Sequence, residues 1–134
     1  MRDFRKFEVW HQSMELVVRV YNVCHRFPKS IIYDIVQQIQ RSAVSIPSNI
    51  AEGCSMDAAK QYSRFIQIAL GSAFELETQL LISQKRNFIH EEVALFELLL
   101  IIQKRLNALN KSIFYTLVRT SNLKSKIERL KTNT

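Results

Sequence analysis

Two glycines and two prolines are the only strong backbone breakers in 134 residues, and this scarcity constrains the fold more than any motif. Hairpins and tight turns draw on glycine for positive φ and on proline for a preset φ. A chain with four such residues has little material for a sheet of short strands, and favours a few long helices. Its length is enough for one domain around a single core. Hydrophobic residues at 47% against charged ones at 23% give the balance of a globular chain rather than a disordered one.

Apolar residues spaced by three and four mark out the helices. The first is expected over about Glu8 to Arg26, with Phe7, Trp10, Met14, Val17, Tyr21 and Cys24 as its core seam. It ends at Phe27-Pro28, because proline disfavours a helical residue before it. Ser30 is placed to cap a second helix that reaches Ala51. This helix carries Ile35, Ile39, Ala43, Ile46 and Ile50 on one side, and Asp34, Gln38, Arg41, Ser45, Asn49 and Glu52 on another. Pro47 within it predicts a kink, or a break and restart, with Ser45 or Ser48 satisfying freed backbone groups. Gly53 fits a left-handed C-terminal cap.

Asp57 is a good N-cap for a third helix, about Ala58 to Lys85, whose seam is Tyr62, Ile66, Ala69, Ala73, Leu76 and Leu80. The small centre, Ala69-Leu70-Gly71-Ser72-Ala73, predicts a tight helix crossing as the reason for Gly71. Asn87 to His90 form a turn, and Glu91 and Glu92 suit the first turn of a fourth helix. That helix carries one heptad register through Leu95, Leu99, Ile102, Leu106, Leu109, Ile113, Thr116, Thr120, Leu123, Ile127 and Leu130. The register outruns the other helices, and Val93, Phe96 and Leu100 add a second apolar face. Burial by a neighbouring copy follows; a break near Thr120-Ser121-Asn122 is the competing reading. The fold class is therefore all-α, an antiparallel up-and-down four-helix bundle with helix two kinked near Pro47. Residues 1–134 make a single domain, with 119–134 a basic helical extension or tail.

Charge is unevenly placed. Residues 1–103 carry eleven Lys or Arg against eleven Asp or Glu, so the net +7 falls wholly in residues 104–134. There Lys104, Arg105, Lys111, Arg119, Lys124, Lys126, Arg129 and Lys131 face Glu128 alone. Such a run is a solvated face, a nucleic-acid surface or a site for an acidic protein. Repetition in an oligomer favours nucleic acid, because phosphate contacts by many copies add. Without a groove-reading motif, binding rests on shape and charge, with structured RNA favoured.

The longest apolar run, Val93 to Ile102, contains Glu97 and is half the length of a membrane span. No apolar signal core follows Met1-Arg2-Asp3-Phe4-Arg5-Lys6, and Cys24 and Cys54 lack CxxC spacing. A cytoplasmic protein with reduced thiols and no membrane partner is expected. Cys24 reads as a packed thiol and Cys54 as a loop thiol. His11 and Glu15 read as a helix-surface pair, too few for a metal site. Arg19 and His25, six residues apart, point away from each other on a helix. With no phosphate loop, Ser-His-Asp set or dinucleotide fingerprint, neither catalysis nor a cofactor is expected. The polar stripe of helix two reads as a structural network of Arg41, Ser45, Asn49 and Glu52 with Ser72, Glu75 and Glu77 on helix three, Arg41 forking to a carboxylate.

Arg41 to Gly53, with its Ser45-Ile46-Pro47-Ser48-Asn49-Ile50-Ala51-Glu52-Gly53 run, resembles a bacterial family encoded within intervening sequences of 23S ribosomal RNA genes. Phe7, Trp10, Ala69, Gly71-Ser72 and Glu75-Leu76-Glu77 extend the resemblance, which covers about residues 4 to 118. Gln40-Arg41-Ser42 departs from it, since the family tends to carry two adjacent basic residues there. The resemblance implies an antiparallel four-helix bundle that assembles into a ring, commonly a homopentamer, with no established enzymatic activity. A related branch is similar to accessory proteins of diversity-generating retroelements, basic pentamers associated with nucleic acid and a reverse transcriptase. The combined expectation is a non-catalytic oligomeric bundle that binds nucleic acid through its basic C-terminal surface. A scaffold for another protein, such as a reverse-transcriptase accessory factor, is the alternative.

Overall fold

The computed structural model describes residues 1–133, with the backbone alone at 31–33. Four helices, α1 (Glu8–Cys24), α2 (Gln37–Cys54), α3 (Ala59–Lys85) and α4 (Val93–Thr132), follow one another. Each packs against the next, and α1 closes the ring of contacts on α4. Short connections make consecutive helices antiparallel, so the fold is an all-α, up-and-down four-helix bundle. Its core is aliphatic: Leu16, Ile39, Ile46, Ile50, Ile66, Leu76, Leu80, Leu99, Ile102 and Leu106 are fully buried. Each such side chain contributes about 1.5–3 kcal/mol relative to exposure.

The seams of α2 and α3 lie inward as the periodicity predicts, with Ile39, Ala43, Ile46 and Ile50 facing Ile66, Ala69, Ala73 and Leu76 in one core. By length and composition α3 could cross a membrane, yet its fully buried residues all point into this core. The seam of α1 differs from expectation. Val9, Leu16, Val20 and Val23 are buried, whereas Met14 and Tyr21 are exposed. This helix is apolar over a broad arc, and the compact aliphatic residues fill the centre while Phe7, Trp10 and Val17 pack at its edge.

Helix two starts later than Ser30. A 3₁₀ turn (Lys29–Ile31) and a π turn (Ile32–Val36) come first, with helical dihedrals interrupted at Asp34 (φ −111°, ψ −105°). From Gln37 the helix runs through Pro47 without a break. Ser48 Oγ donates to the Val44 carbonyl at 2.8 Å and Asn49 Nδ2 to that of Ser45 at 2.7 Å, beside the Ala43 carbonyl that Pro47 leaves without its amide.

Neither glycine plays its expected part. Gly53 is inside α2 with negative φ, and a Cβ there would lie 2.9 Å from Phe65 Cβ. It is the point where α2 and α3 approach closely. Gly71 is exposed, and a Cβ on it would meet nothing within 4 Å, so the tight crossing is not there. The left-handed cap falls instead on Asn87 (φ 60°) after α3. The Phe88 amide donates to the Ser83 carbonyl and the Asn87 amide to that of Gln84, both at 2.9 Å, closing a Schellman turn.

Asp57 makes no N-cap bond to α3; its carboxylate meets the Met1 amino group at 3.3 Å. Arg2 grips the same corner. Its amide donates to the Cys54 carbonyl at 2.9 Å, its Nη1 to the Met56 carbonyl at 3.0 Å, and its guanidinium lies 3.9 Å from the Tyr62 ring centroid. At the other end Arg26 and Glu92 pair at 2.7 Å, so Glu92 ties α1 to the start of α4 rather than serving its first turn. Helix α4 is continuous through Thr120, without the break the polar stretch allowed.

Candidate functional site

Two sets of side chains qualify as a site: the polar residues between α2 and α3, and the cationic outer side of α4. The first is smaller than the sequence suggests. Asn49 Nδ2 donates to Ser45 Oγ at 2.9 Å, and the Ser45 and Ser72 hydroxyls share a hydrogen bond at 2.7 Å. This closed set bridges the two helices. Glu77 turns toward α4, where Gln103 Nε2 reaches it at 3.5 Å, and Glu75 takes a 3.4 Å bond from Gln79. Arg41 and Glu52 are exposed and belong to none of the ion pairs among the described residues. The expected Arg41–carboxylate fork is therefore not formed. Ser42 and Ala43 occupy the inside of the turn, which leaves Arg41 outside with Tyr21, Gln37, Gln40 and Val44 around a shallow groove.

The eight cations of α4 are all exposed, but they are not equivalent. Arg105 Nη1 pairs with Glu8 Oε2 at 3.2 Å, an exposed ion pair that turns this guanidinium toward α1. At 100° per residue, Lys104, Lys111, Arg119, Lys126 and Arg129 fall within an arc of about 80°, while Lys124 and Lys131 lie on another side. Tyr115, 70% exposed, lies inside that arc, and Phe114, 63% exposed, lies about 60° beyond it, toward α3.

Two grooves meet at Phe114. One of about 450 Å³ is lined by Asn107, Asn110, Lys111, Tyr115 and Val118. The other, about 580 Å³, brings in Lys60, Arg64 and Gln67 from α3. Sequence reasoning missed Lys60 and Arg64. Their spacing of four beside an apolar seam was a visible signal, although nothing in it said that this turn of α3 would meet Phe114. Ser63 Oγ donates to Asn110 Oδ1 at 2.7 Å and fixes the register of the two helices at this place. Cations, amides and open aromatic rings thus share one surface, a composition suited to phosphates and stacked bases.

Other candidates resolve into structure. The His11 ring meets the Arg5 carbonyl at 2.6 Å, and Glu15 pairs with Arg19 at 2.7 Å, so His11 and Glu15 are not partners. Cys54 is buried at the end of α2 rather than held in a loop. Burial pushes the Cys24 thiol up to about 11 and raises that of Cys54, so neither is poised as a nucleophile at neutral pH. Burial also pushes Tyr62 up to about 12, with the neighbouring Cys54 adding to the rise. Among the described residues no group of three His, Cys, Asp or Glu could hold a metal ion.

A family model matches most of the chain. The model described as 23S rRNA-intervening sequence protein matches residues 5–111. The crystal structure of a protein of unknown function from the S23 ribosomal protein family of Bacteroides thetaiotaomicron has the same fold. It is 24% identical with a TM-score of 0.55, and the match covers 81% of this chain and 96% of that one. No curated protein matches the chain. Neither description names a catalytic activity.

Proposed function

This chain belongs to the 23S rRNA-intervening sequence protein family, and we propose that it acts without catalysis, as an oligomeric helical bundle that binds nucleic acid through the outer side of α4. The observation that carries this reading is the joint surface of Phe114 and Tyr115 with Lys60, Arg64 and Lys111, continued along α4 by Arg119 and Arg129. Cations supply affinity for phosphate without sequence preference, and exposed rings add stacking on unpaired bases. Structured RNA with single-stranded loops offers both. Self-association supports the reading, because each copy brings its whole +7 to the assembly. The exposed part of the α4 heptad favours assembly, and five is the copy number that the family resemblance implies.

A gel-shift titration of structured RNA at rising salt tests the proposal. Lys111→Gln, Arg119→Gln and Arg129→Gln together should weaken binding at least tenfold and reduce the salt slope by about 2–3. Absence of binding at about 50 mM salt overturns the reading and leaves a protein scaffold in its place. Solution mass tests assembly separately: a species of 15.7 kDa at all concentrations excludes it.

A further inference from the structure

Apolar side chains lie uncovered near both ends of α4. One such surface is a groove of about 340 Å³ between the end of α3 and the start of α4, floored by Leu81, Val93, Phe96 and Leu100. Val93 is 56% and Leu100 48% exposed, so the floor is open. Glu77, Glu91 and Glu97 rim it, and none of them belongs to an ion pair among the described residues. The second surface is the last part of the α4 heptad, Leu123, Ile127 and Leu130, of which Leu123 is 58% and Leu130 62% exposed. Lys124 and Lys126 border that seam on its two sides.

We propose that the groove receives the C-terminal seam of α4 from a second copy of the chain, Leu123, Ile127 and Leu130 covering the apolar floor while Lys124 and Lys126, which take no part in the nucleic-acid surface, reach the glutamates of the rim. Shape and charge both fit. Leu123 to Leu130 spans seven residues, about 10 Å of helix, and so does Val93 to Leu100. An amphipathic helix laid in a groove uses this kind of anchor spacing. The donor must be another molecule, because α4 is one continuous helix that carries its own tail about 35 Å away from Leu100. Two tails pairing with each other would set their cations side by side with one Glu128 each, and that repulsion favours the acidic groove as host.

The contact is heterologous, groove of one copy with tail of the next, so it generates rings or open chains of copies. It also gives residues beyond the matched 5–111 a role of their own. The inference rests on the self-association proposed above and names its interface.

Sedimentation velocity on three variants of the full chain tests it, with circular dichroism to confirm retained helix. Leu123→Gln with Ile127→Gln removes the seam, and both positions are already exposed, so the bundle should persist. Glu91→Lys with Glu97→Lys reverses the rim. Each pair should reduce the assembly to the 15.7 kDa chain at micromolar concentration. The third variant adds Lys124→Glu and Lys126→Glu to the reversed rim and should recover the assembly, a result that general destabilisation cannot produce. If both pairs leave the wild-type mass unchanged, the interface is overturned while self-association stands. If the seam pair dissociates and the rim pair does not, tails pair with tails and the inference fails. A monomeric wild type removes both readings at once.

Discussion

From Leu95 to Ile113 the α4 heptad is packed against α1 and α3, half-buried at Leu109 and buried elsewhere, whereas from Thr116 to Leu130 the same repeat is open. Thr116 and Thr120 interrupt the second half, yet Leu123, Ile127 and Leu130 keep the register of the first, and nothing local separates these apolar positions from the buried ones. The difference lies in the other helices: α1 and α2 have 17 and 18 residues and α3 has 27, against 40 in α4. At 1.5 Å per residue the last helix is about 20 Å longer than the longest of its partners. A heptad therefore records the capacity to pack and leaves the partner unspecified.

The sharpest test of that contrast uses one residue type in both halves. Leu106→Ala should cost about 2–5 kcal/mol in urea unfolding, since a fully buried leucine leaves a cavity. Leu130→Ala should change the same measurement by no more than about 0.5 kcal/mol at a concentration where the chain is monomeric. An equal cost at Leu130 would mean that the tail folds back on its own bundle, and the comparison would collapse.

Much of the fold was legible for the same reason that the tail's partner was not. The inward residues of α2 and α3 follow from spacing, because one seam at steps of three and four runs unbroken along each, although α3 also carries Ile68, Phe74, Leu81 and Ile82 outside its seam. The seam of α1 was misread because Met14 and Tyr21 keep the same spacing as Leu16 and Val23, and side-chain size decides between two such registers only once neighbours are in place. The Arg41 fork failed for a related reason: a polar stripe tells which residues avoid the core, not which carboxylate stands opposite. Of the basic surface, α4's own cations were readable as composition. Lys60 and Arg64 join it through a helix crossing far apart in sequence.

The two glycines repeat the contrast between packed and open regions at the scale of a single methyl group. Gly53→Ala places a Cβ 2.9 Å from Phe65 Cβ and 3.3 Å from Tyr62 Cδ1. Because Phe65 Cβ is fixed to its backbone, α2 and α3 must move apart, and the expected loss is about 1–3 kcal/mol in denaturant unfolding. A neutral result would show that this crossing is looser than its geometry.

The packed side should also report itself in alkaline solution. Cys24 ionises at about 11 in the folded chain against 9.0 when free, and Tyr62 at about 12 against 10.0. Raised values mean that the unfolded chain loses its protons first. The stability they contribute is complete below pH 9 and falls between pH 9 and 11 for Cys24, and between 10 and 12 for Tyr62, on the order of 2 kcal/mol each. Cys24→Ala should flatten the first part of that decline, and Tyr62→Phe the second. An unchanged profile in both variants would move the alkaline sensitivity elsewhere.

Gly71→Ala has a small effect, and its sign matters more than its size. The position is in the middle of α3, exposed, and a Cβ would touch nothing within 4 Å. Alanine costs less backbone entropy than glycine in a helix, so the variant should gain about 0.5–1 kcal/mol in the isolated chain. A gain in the monomer joined to weaker self-association would show that this open turn of α3 is covered by a neighbouring copy, and would extend the contact surface beyond the α4 groove. A loss in the monomer itself would place Gly71 with Gly53 on the packed side.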